Sequence, residues 1–584
     1  MAELDLPEEE LEEYVREEEM ERGQMLPVEV LCTIFKMLPP KDVARVILVC
    51  KRWHQAADTP ILWTWVTFHS PRLSSDNNVR NDQEIARFLK MVTLRRLLNV
   101  KHICFSFESN IELVVSQNRL VKAALEHPGL RKICLESGNI TLLDPQLLTQ
   151  LLIKMDEVEI SGTRMSTQQK TEFFSALHNT SHMKRLVWTP SSQEFQPDNF
   201  KAVDPTTLAN AVKNVEKLHL NHRMTSAQQA ISIFHALQSD SALVKTLSYQ
   251  GVPGFFEISR ISDDGRNEVD PDVMSRVVRK LEEVDLTSYE LTYDQSSAIC
   301  AALSEESTLQ KLTLRDNPLH MVDVEVLARM VRYVEDLDLS RTGLRKEALH
   351  AIFASIGTGQ RLKKLSLAQN SLSGGYNYMD DSDEETDDNV DPHQLAEMAR
   401  CVEELDLSDT NMKAQAWILL RELGDTPGKL IKLVLQGNDL RDEDISAMVT
   451  QIQDLDLSKT KLSPDQVDEM FEEIADGPGR LKILRISNID VRGVIPELLS
   501  DAVNSLERVY LTDMPLLTRY QVKKILTQAL EEGTYLEELS IVDDFDCQHH
   551  HHSSRCDCRY YNGSVFDGKF GYENQSLFNE LFQL

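Results

Sequence analysis

The sequence predicts an α/β chain in which a small N-terminal group of helices precedes a long solenoid of strand and helix repeats. Three observations carry that expectation. The pattern L-x-x-L-x-L recurs from about residue 100 onward. Amphipathic segments such as VEVLARMVRYV fill the intervals between its copies. A separate apolar stretch, LPVEVLCTIFKMLP from Leu26 to Pro39, stands between an acidic leader and the array.

The leader, residues 1–24, carries Glu8 to Glu10 and Glu17 to Glu19 and reads as a solvated helix or disordered tail. In the apolar stretch Leu31, Ile34, Phe35 and Leu38 fall at i, i+3, i+4 and i+7, one face of a helix. Pro27 suits its first turn and Pro39-Pro40 stops it. A second helix, KDVARVILVCKRW, sets Val43, Val46, Ile47 and Cys50 on one face, which Val49 and Trp53 widen. A third opens at DTPILWTW, where Asp58 or Thr59 caps and Pro60 begins the turn. Three helices this short bury too little area alone, so part of their apolar surface is expected to meet another protein or the next domain.

Leu26, Pro27, Ile34, Phe35, Leu38, Asp42, Val43, Val49, Cys50, Trp53 and Trp63 together resemble an F-box, placed here at residues 25–70. The resemblance implies docking on the Skp-type adaptor of a cullin-RING ubiquitin ligase through Leu26, Pro27, Leu31, Ile34, Phe35, Leu38, Val49 and Trp53. The rival reading is a helical cap closing the end of a repeat array.

Composition agrees with an intracellular binding role. The nine cysteines among 584 residues are odd in number and scattered from Cys32 to Cys558, unlike a disulfide framework, so a reducing compartment, cytoplasm or nucleus, is expected. The N-terminus lacks a basic-then-apolar signal pattern, and no apolar run reaches membrane-spanning length. A net charge of −32 argues against nucleic acid or an anionic membrane as main partner and for basic protein surfaces. No cofactor is expected.

The copies LQKLTLRDNPL, VEDLDLSRTGL, LKKLSLAQNSL, VEELDLSDTNM, LIKLVLQGNDL and IQDLDLSKTKL resemble leucine-rich repeats, and the resemblance spans residues 71–545. The last apolar residue of each triplet gives the anchors Leu135, Ile160, Trp188, Leu220, Tyr249, Leu286, Leu314, Leu339, Leu367, Leu407, Leu435, Leu457, Ile486, Leu511 and Ile541. They recur every 29 residues or so, within the range of such repeats. Fainter copies, VKHICFSF and WTWVTF, join the array to the F-box-like segment. Each unit supplies a short parallel strand and an outer helix, and stacking implies a horseshoe with a concave sheet, a surface suited to binding proteins.

The copies alternate. Thr342, Thr410 and Thr460 occupy the position where intervening copies carry Asn317, Asn370 and Asn438, so the unit is a pair. Like-to-like spacing is 53 residues from Leu286 to Leu339 and again from Leu314 to Leu367, which resembles the ribonuclease-inhibitor class of horseshoe. From Leu367 to Leu435 it is 68, an excess assigned to an acidic insertion near 374–391. Ser382 within it fits an acid-directed kinase site, or the insertion is an unmodified solvated loop.

Strand alternation sends two rows of side chains toward the concave face. One reads Glu283, Lys311, Asp336, Lys364, Glu404, Lys432, Asp454 and can neutralise itself. The other reads Asp285, Thr313, Asp338, Ser366, Asp406, Val434, Asp456, with a carboxylate on every second strand. Asp285, Asp338, Asp406 and Asp456 are therefore candidates for a basic client segment; alternatively each bonds its own loop amides. Arg485 and Tyr510 continue the row and are candidate binding anchors.

In the tail, residues 546–584, Cys547, His549 to His552, Cys556 and Cys558 offer zinc-compatible atoms. C-x-C without a second paired half favours a flexible tract over a metal site. Leu577, Phe578, Leu581 and Phe582 share a helical face that would cap the array. No P-loop, GxGxxG, HExxH or nucleophile motif is present. The expectation is a non-catalytic substrate receptor of an SCF-type ligase, held through the adaptor to cullin and RING proteins. A leucine-rich-repeat inhibitor scaffold and a GTPase-activating horseshoe are the alternatives, the latter without an arginine that stands out.

Overall fold

The structure is a computed structural model. It describes residues 28–36, 43, 46, 49–57, 59, 62, 65–69, 100–106, 114–180, 183–189, 199–251, 269–357, 360–372, 390–412, 414–441, 443–491, 493–512, 514, 517, 519–529, 535–536, 538–542 and 566–569. The acidic leader, Ser382, the Cys/His tract and the expected helical cap at 577–582 lie outside the described residues. The chain divides into two compact units, formed mainly by Met1–Gln250 and Asp270–Leu584.

In the first unit, helices Val28–Lys36 and Lys51–Ala57 pack together. Leu31, Phe35, Val43, Ala56 and Ala57 fill the contact at 1% exposure or less, and the Phe35 ring meets Trp53 edge-on at 5.3 Å. A parallel ladder follows: β1 (Trp65–His69), β2 (His102–Ser106), β3 (Lys132–Asn139), β4 (Glu157–Arg164), β5 (Arg185–Thr189), β6 (Lys217–Asn221) and β7 (Thr246–Gln250). The two faint copies are β1 and β2, so the ladder already begins inside residues 25–70. Trp188 takes an anchor position and is packed by Phe174 at 5.4 Å and Phe200 at 5.3 Å.

The second unit has three-residue strands β8 (Glu283–Asp285), β9 (Lys311–Thr313), β10 (Asp336–Asp338), β11 (Lys364–Ser366), β12 (Glu404–Asp406), β13 (Lys432–Val434) and β14 (Asp454–Asp456), then five-residue strands β15 (Ile483–Ser487), β16 (Arg508–Thr512) and β17 (Glu538–Val542). All are parallel. A final strand, β18 (Phe566–Lys569), pairs antiparallel with β17 and occupies an edge that would otherwise present unpaired backbone groups. Every expected anchor, from Leu135 to Ile541, is 3% exposed or less. Parallel strands need apolar anchors because helices cover their inner face.

The Asn and Thr alternation has a hydrogen-bonding cause. Asn438 Nδ2 donates to the Leu407 and Leu435 carbonyls at 2.7 and 3.0 Å, while its Oδ1 accepts from the Met412 amide at 3.1 Å. Asn370 and Asn317 repeat the arrangement one pair earlier each time. In the alternate copies Thr342, Thr410 and Thr460 donate to the carbonyl three residues back. A side chain in this place satisfies buried turn carbonyls that no strand or helix reaches.

The helices alternate as well. Asp144, Asp204, Asp270, Asp323 and Asp391 cap one set, mostly followed by proline. Ser166, Ser226, Thr292 and Ser463 begin capping boxes with glutamine at N3 in the other. Around the long insertion, the Val390 amide donates to the Leu372 carbonyl at 3.0 Å. The chain thus leaves and returns at one point, and since Asp391 caps a helix the insertion ends before the expected boundary of 391.

Candidate functional site

The first candidate surface is the N-terminal helical pair. Val49 sits on the turn before Lys51–Ala57 and is 62% exposed. Ile34 and Trp53 are half-buried. Leu31 and Phe35, expected on the docking face, instead point inward at 1% exposure each. Their i, i+4 spacing selects one face, and on it Phe35 packs edge-on against Trp53 of the second helix, whose Ala56 and Ala57 are also buried. Leu26, Pro27 and Leu38 lie outside the described residues. Of the expected docking residues that are described, Val49 and parts of Ile34 and Trp53 remain accessible.

The second candidate surface is the row of side chains on the second unit's ladder. Strand register places Asp285 beside Thr313, Asp338 beside Ser366, Ser366 beside Asp406, and Val434 beside Asp456. All four carboxylates are half-buried. Each also bonds its own turn: Asp285 Oδ1 accepts from the Thr287 amide at 3.0 Å and its hydroxyl at 2.7 Å. Asp338, Asp406 and Asp456 accept from the amides of Ser340, Ser408 and Ser458 at 2.8, 2.9 and 2.9 Å. These are Asx turns that hold the exit of each strand. Ser340 and Ser366 hydroxyls meet at 2.8 Å, and Ser366 donates to Asp406 Oδ2 at 3.2 Å, which links neighbouring turns into a belt. Burial raises the Asp338 carboxyl above its usual range despite the bonds from Ser340.

The adjacent row neutralises itself, with Lys311 on Asp336 at 3.1 Å and Lys364 on Glu404 at 2.7 Å. The carboxylate row does acquire a cation where β15 begins. Arg485 stands beside Asp456 in register, its guanidinium bonds Asp454, and it lies 5.1 Å from the Tyr510 ring. Arg485 and Tyr510 are thus brought together by neighbouring strands, a planar cation stacked on an aromatic face at the end of an anionic row.

A recurring glutamine escaped the sequence reading. Gln169, Gln229, Gln466 and Gln521 each send Nε2 to two carbonyls of the preceding turn, as Gln229 does to Phe200 and Val203 at 3.1 and 2.7 Å. The visible signal was Ser-x-x-Gln, or Thr-x-x-Gln before Gln521, at the start of alternate helices, a pattern that also reads as an ordinary capping box.

Comparison with known proteins bears on both parts. The F-box-like family profile matches residues 24–69. A stretch of 118 residues is 30% identical to F-box/LRR-repeat protein 8 of Bos taurus, covering 20% of this chain and 29% of the length of that relative. Among solved structures, a leucine-rich-repeat protein of Leptospira interrogans aligns at 13% identity over 78% of this chain and 99% of its own, with a TM-score of 0.31. The leucine-rich-repeat protein LegL7 of Legionella pneumophila aligns at 16% over 47% and 87%, with 0.32. The yeast Rad7 and Elc1 complex aligns at 11% over 88% and 96%, with 0.33. The repeat assignment rests on the ladder, its buried anchors and the Asn and Thr turns. The chain joins an F-box-like segment to leucine-rich repeats.

Proposed function

We propose that this chain is the substrate-recognition subunit of an SCF-type ubiquitin ligase. The F-box-like segment docks on a Skp-type adaptor and, through it, on cullin and RING proteins; the repeats hold a client. The observation that carries the reading is the joining, in one chain, of a helical pair that leaves Val49 exposed to a long ladder with ordered side chains outside its core. The chain makes and breaks no bonds. Its contribution to rate is proximity, which turns attack by a client lysine on a ubiquitin-charged partner into an effectively unimolecular step. The anionic row Asp285, Asp338, Asp406 and Asp456 favours a basic client segment, with Arg485 and Tyr510 as the anchor at its end. The same reading puts the protein in the cytoplasm or nucleus, in keeping with its scattered cysteines.

Affinity capture from cells tests the assignment. The full chain is expected to retain adaptor, cullin and client, and a chain lacking residues 25–62, which spares β1, to retain client alone. Recovery of adaptor and cullin by the deleted chain, or their absence from the full-chain capture, would overturn it.

A further inference from the structure

Cys104 on β2 and Cys134 on β3 stand opposite each other in the parallel ladder, and each is 3% exposed. Their strand neighbours Ile103, Phe105, Ile133 and Leu135 enter the core at 0–1% exposure, so alternation puts both sulfurs on the other face of the sheet. Glu136 follows two residues along that face. Cys134 Sγ lies 3.3 Å from Glu136 Oε1, and the two sulfurs and this oxygen all fall within 4.8 Å of one another. The neighbouring cation, Lys132, is engaged elsewhere, at 3.8 Å from Glu157 and 3.6 Å from Glu159.

We propose that Cys104, Cys134 and Glu136 bind one thiophilic divalent cation, Zn2+ being the ion whose ligand preference and geometry fit. Two thiolates and a carboxylate supply three corners of a tetrahedron and leave the fourth to water. With Zn–S near 2.3 Å and Zn–O near 2.1 Å, ligand atoms in such a site stand roughly 3.5 to 3.8 Å apart. The observed cluster, within 4.8 Å, exceeds that spacing by about 1 Å, a gap of the size that side-chain rotation covers. Coordination is not a redox step: each thiol yields its proton to solvent, about two per ion, and the sulfur lone pairs become metal ligands. An ion there ties β2 to β3 at the start of the first unit's ladder.

The test titrates the full chain with Co2+ and then Zn2+. Thiolate-to-cobalt charge-transfer absorption reports sulfur ligation, and its bleaching reports zinc affinity. The band is expected in the full chain and in Cys547→Ser/Cys556→Ser/Cys558→Ser, and lost in Cys104→Ser/Cys134→Ser. Glu136→Gln, at an exposed position, should keep the band while weakening zinc binding by at least about tenfold. Absence of the band in the full chain, its survival without Cys104 and Cys134, or its loss in the tail variant would overturn the site. Should the double serine variant fail to fold, Glu136→Gln decides, and an unchanged zinc affinity there would refute the proposal.

Discussion

Replacing Asn438 with alanine isolates what the repeat asparagine does. Asn438 is 0% exposed and spans two turns through Leu407, Leu435 and Met412. The two carbonyls keep other donors: Thr410 Oγ1 reaches Leu407 at 2.8 Å and the residue's own amide reaches Leu435 at 3.3 Å. Each therefore loses one bond of about 0.5 to 1.5 kcal/mol. The Met412 amide loses its acceptor outright, at a cost of about 1 to 3 kcal/mol for a buried donor. The expected destabilisation is thus about 2 to 6 kcal/mol. Asn438→Asp should be at least as harmful, because it buries a charge and turns an oxygen toward two carbonyls. Thr410→Val, which removes one hydroxyl bond with little change of volume, should cost about 1 kcal/mol. Urea unfolding followed by circular dichroism gives the global value. Exchange of the Met412 amide, read by mass spectrometry, gives the local one and should accelerate by roughly one and a half to four decades. An Asn438→Ala chain within about 0.5 kcal/mol of wild type, with Met412 equally protected, would refute the reasoning.

Three further outcomes follow from the same geometry. Gly428 has φ of +63°, and a Cβ there would stand 2.6 Å from the Arg400 carbonyl oxygen, so Gly428→Ala should cost about 2 kcal/mol or more in a thermal or urea melt. Gly477, where a Cβ meets nothing within 4 Å, should tolerate alanine within about 0.5 kcal/mol. Because burial raises the folded-state carboxyl of Asp338, its ionised form opposes folding above that raised value and is neutral in both states below the ordinary carboxylate range. Asp338→Asn should therefore raise the melting temperature at neutral pH, with the gain vanishing in acid; a loss at neutral pH would show that the turn bonds outweigh desolvation. Changing Asp285, Asp338, Asp406 and Asp456 together to Asn keeps the Oδ1 acceptors of the turns. Fold and adaptor binding should persist while client association slows about tenfold and loses salt sensitivity in surface-binding kinetics; unchanged kinetics would assign recognition to another surface.

The ladder was legible because its anchors are forced. A residue such as Leu339 or Leu433 that recurs on a strand covered by helices has to be apolar, and recurrence alone reveals it. The Asn and Thr alternation was visible as a pattern, but its cause lies in carbonyls of the preceding repeat that no linear reading connects. Helical spacing grouped Leu31, Ile34, Phe35 and Leu38, yet periodicity names a face without naming what covers it, so the inward turn of Leu31 and Phe35 was missed. The aspartates recur at equivalent strand positions, and their bonds to Thr287, Ser340, Ser408 and Ser458 match the local alternative. Cys104 and Cys134 lie on successive repeats, and only the register of β2 with β3 brings them together.

The most direct test of the account is calorimetric titration of a purified Skp-type adaptor into the full chain. Saturable one-to-one binding is expected. Leu26→Ala/Pro27→Ala should weaken it, and Val49→Asp should weaken it by at least about tenfold, or about 1.4 kcal/mol. Because Val49 is 62% exposed, Val49→Asp should leave the unfolding transition in place. A wild-type chain that gives no binding heat and does not co-elute with the adaptor would contradict the proposal that the N-terminal segment is a ligase docking module.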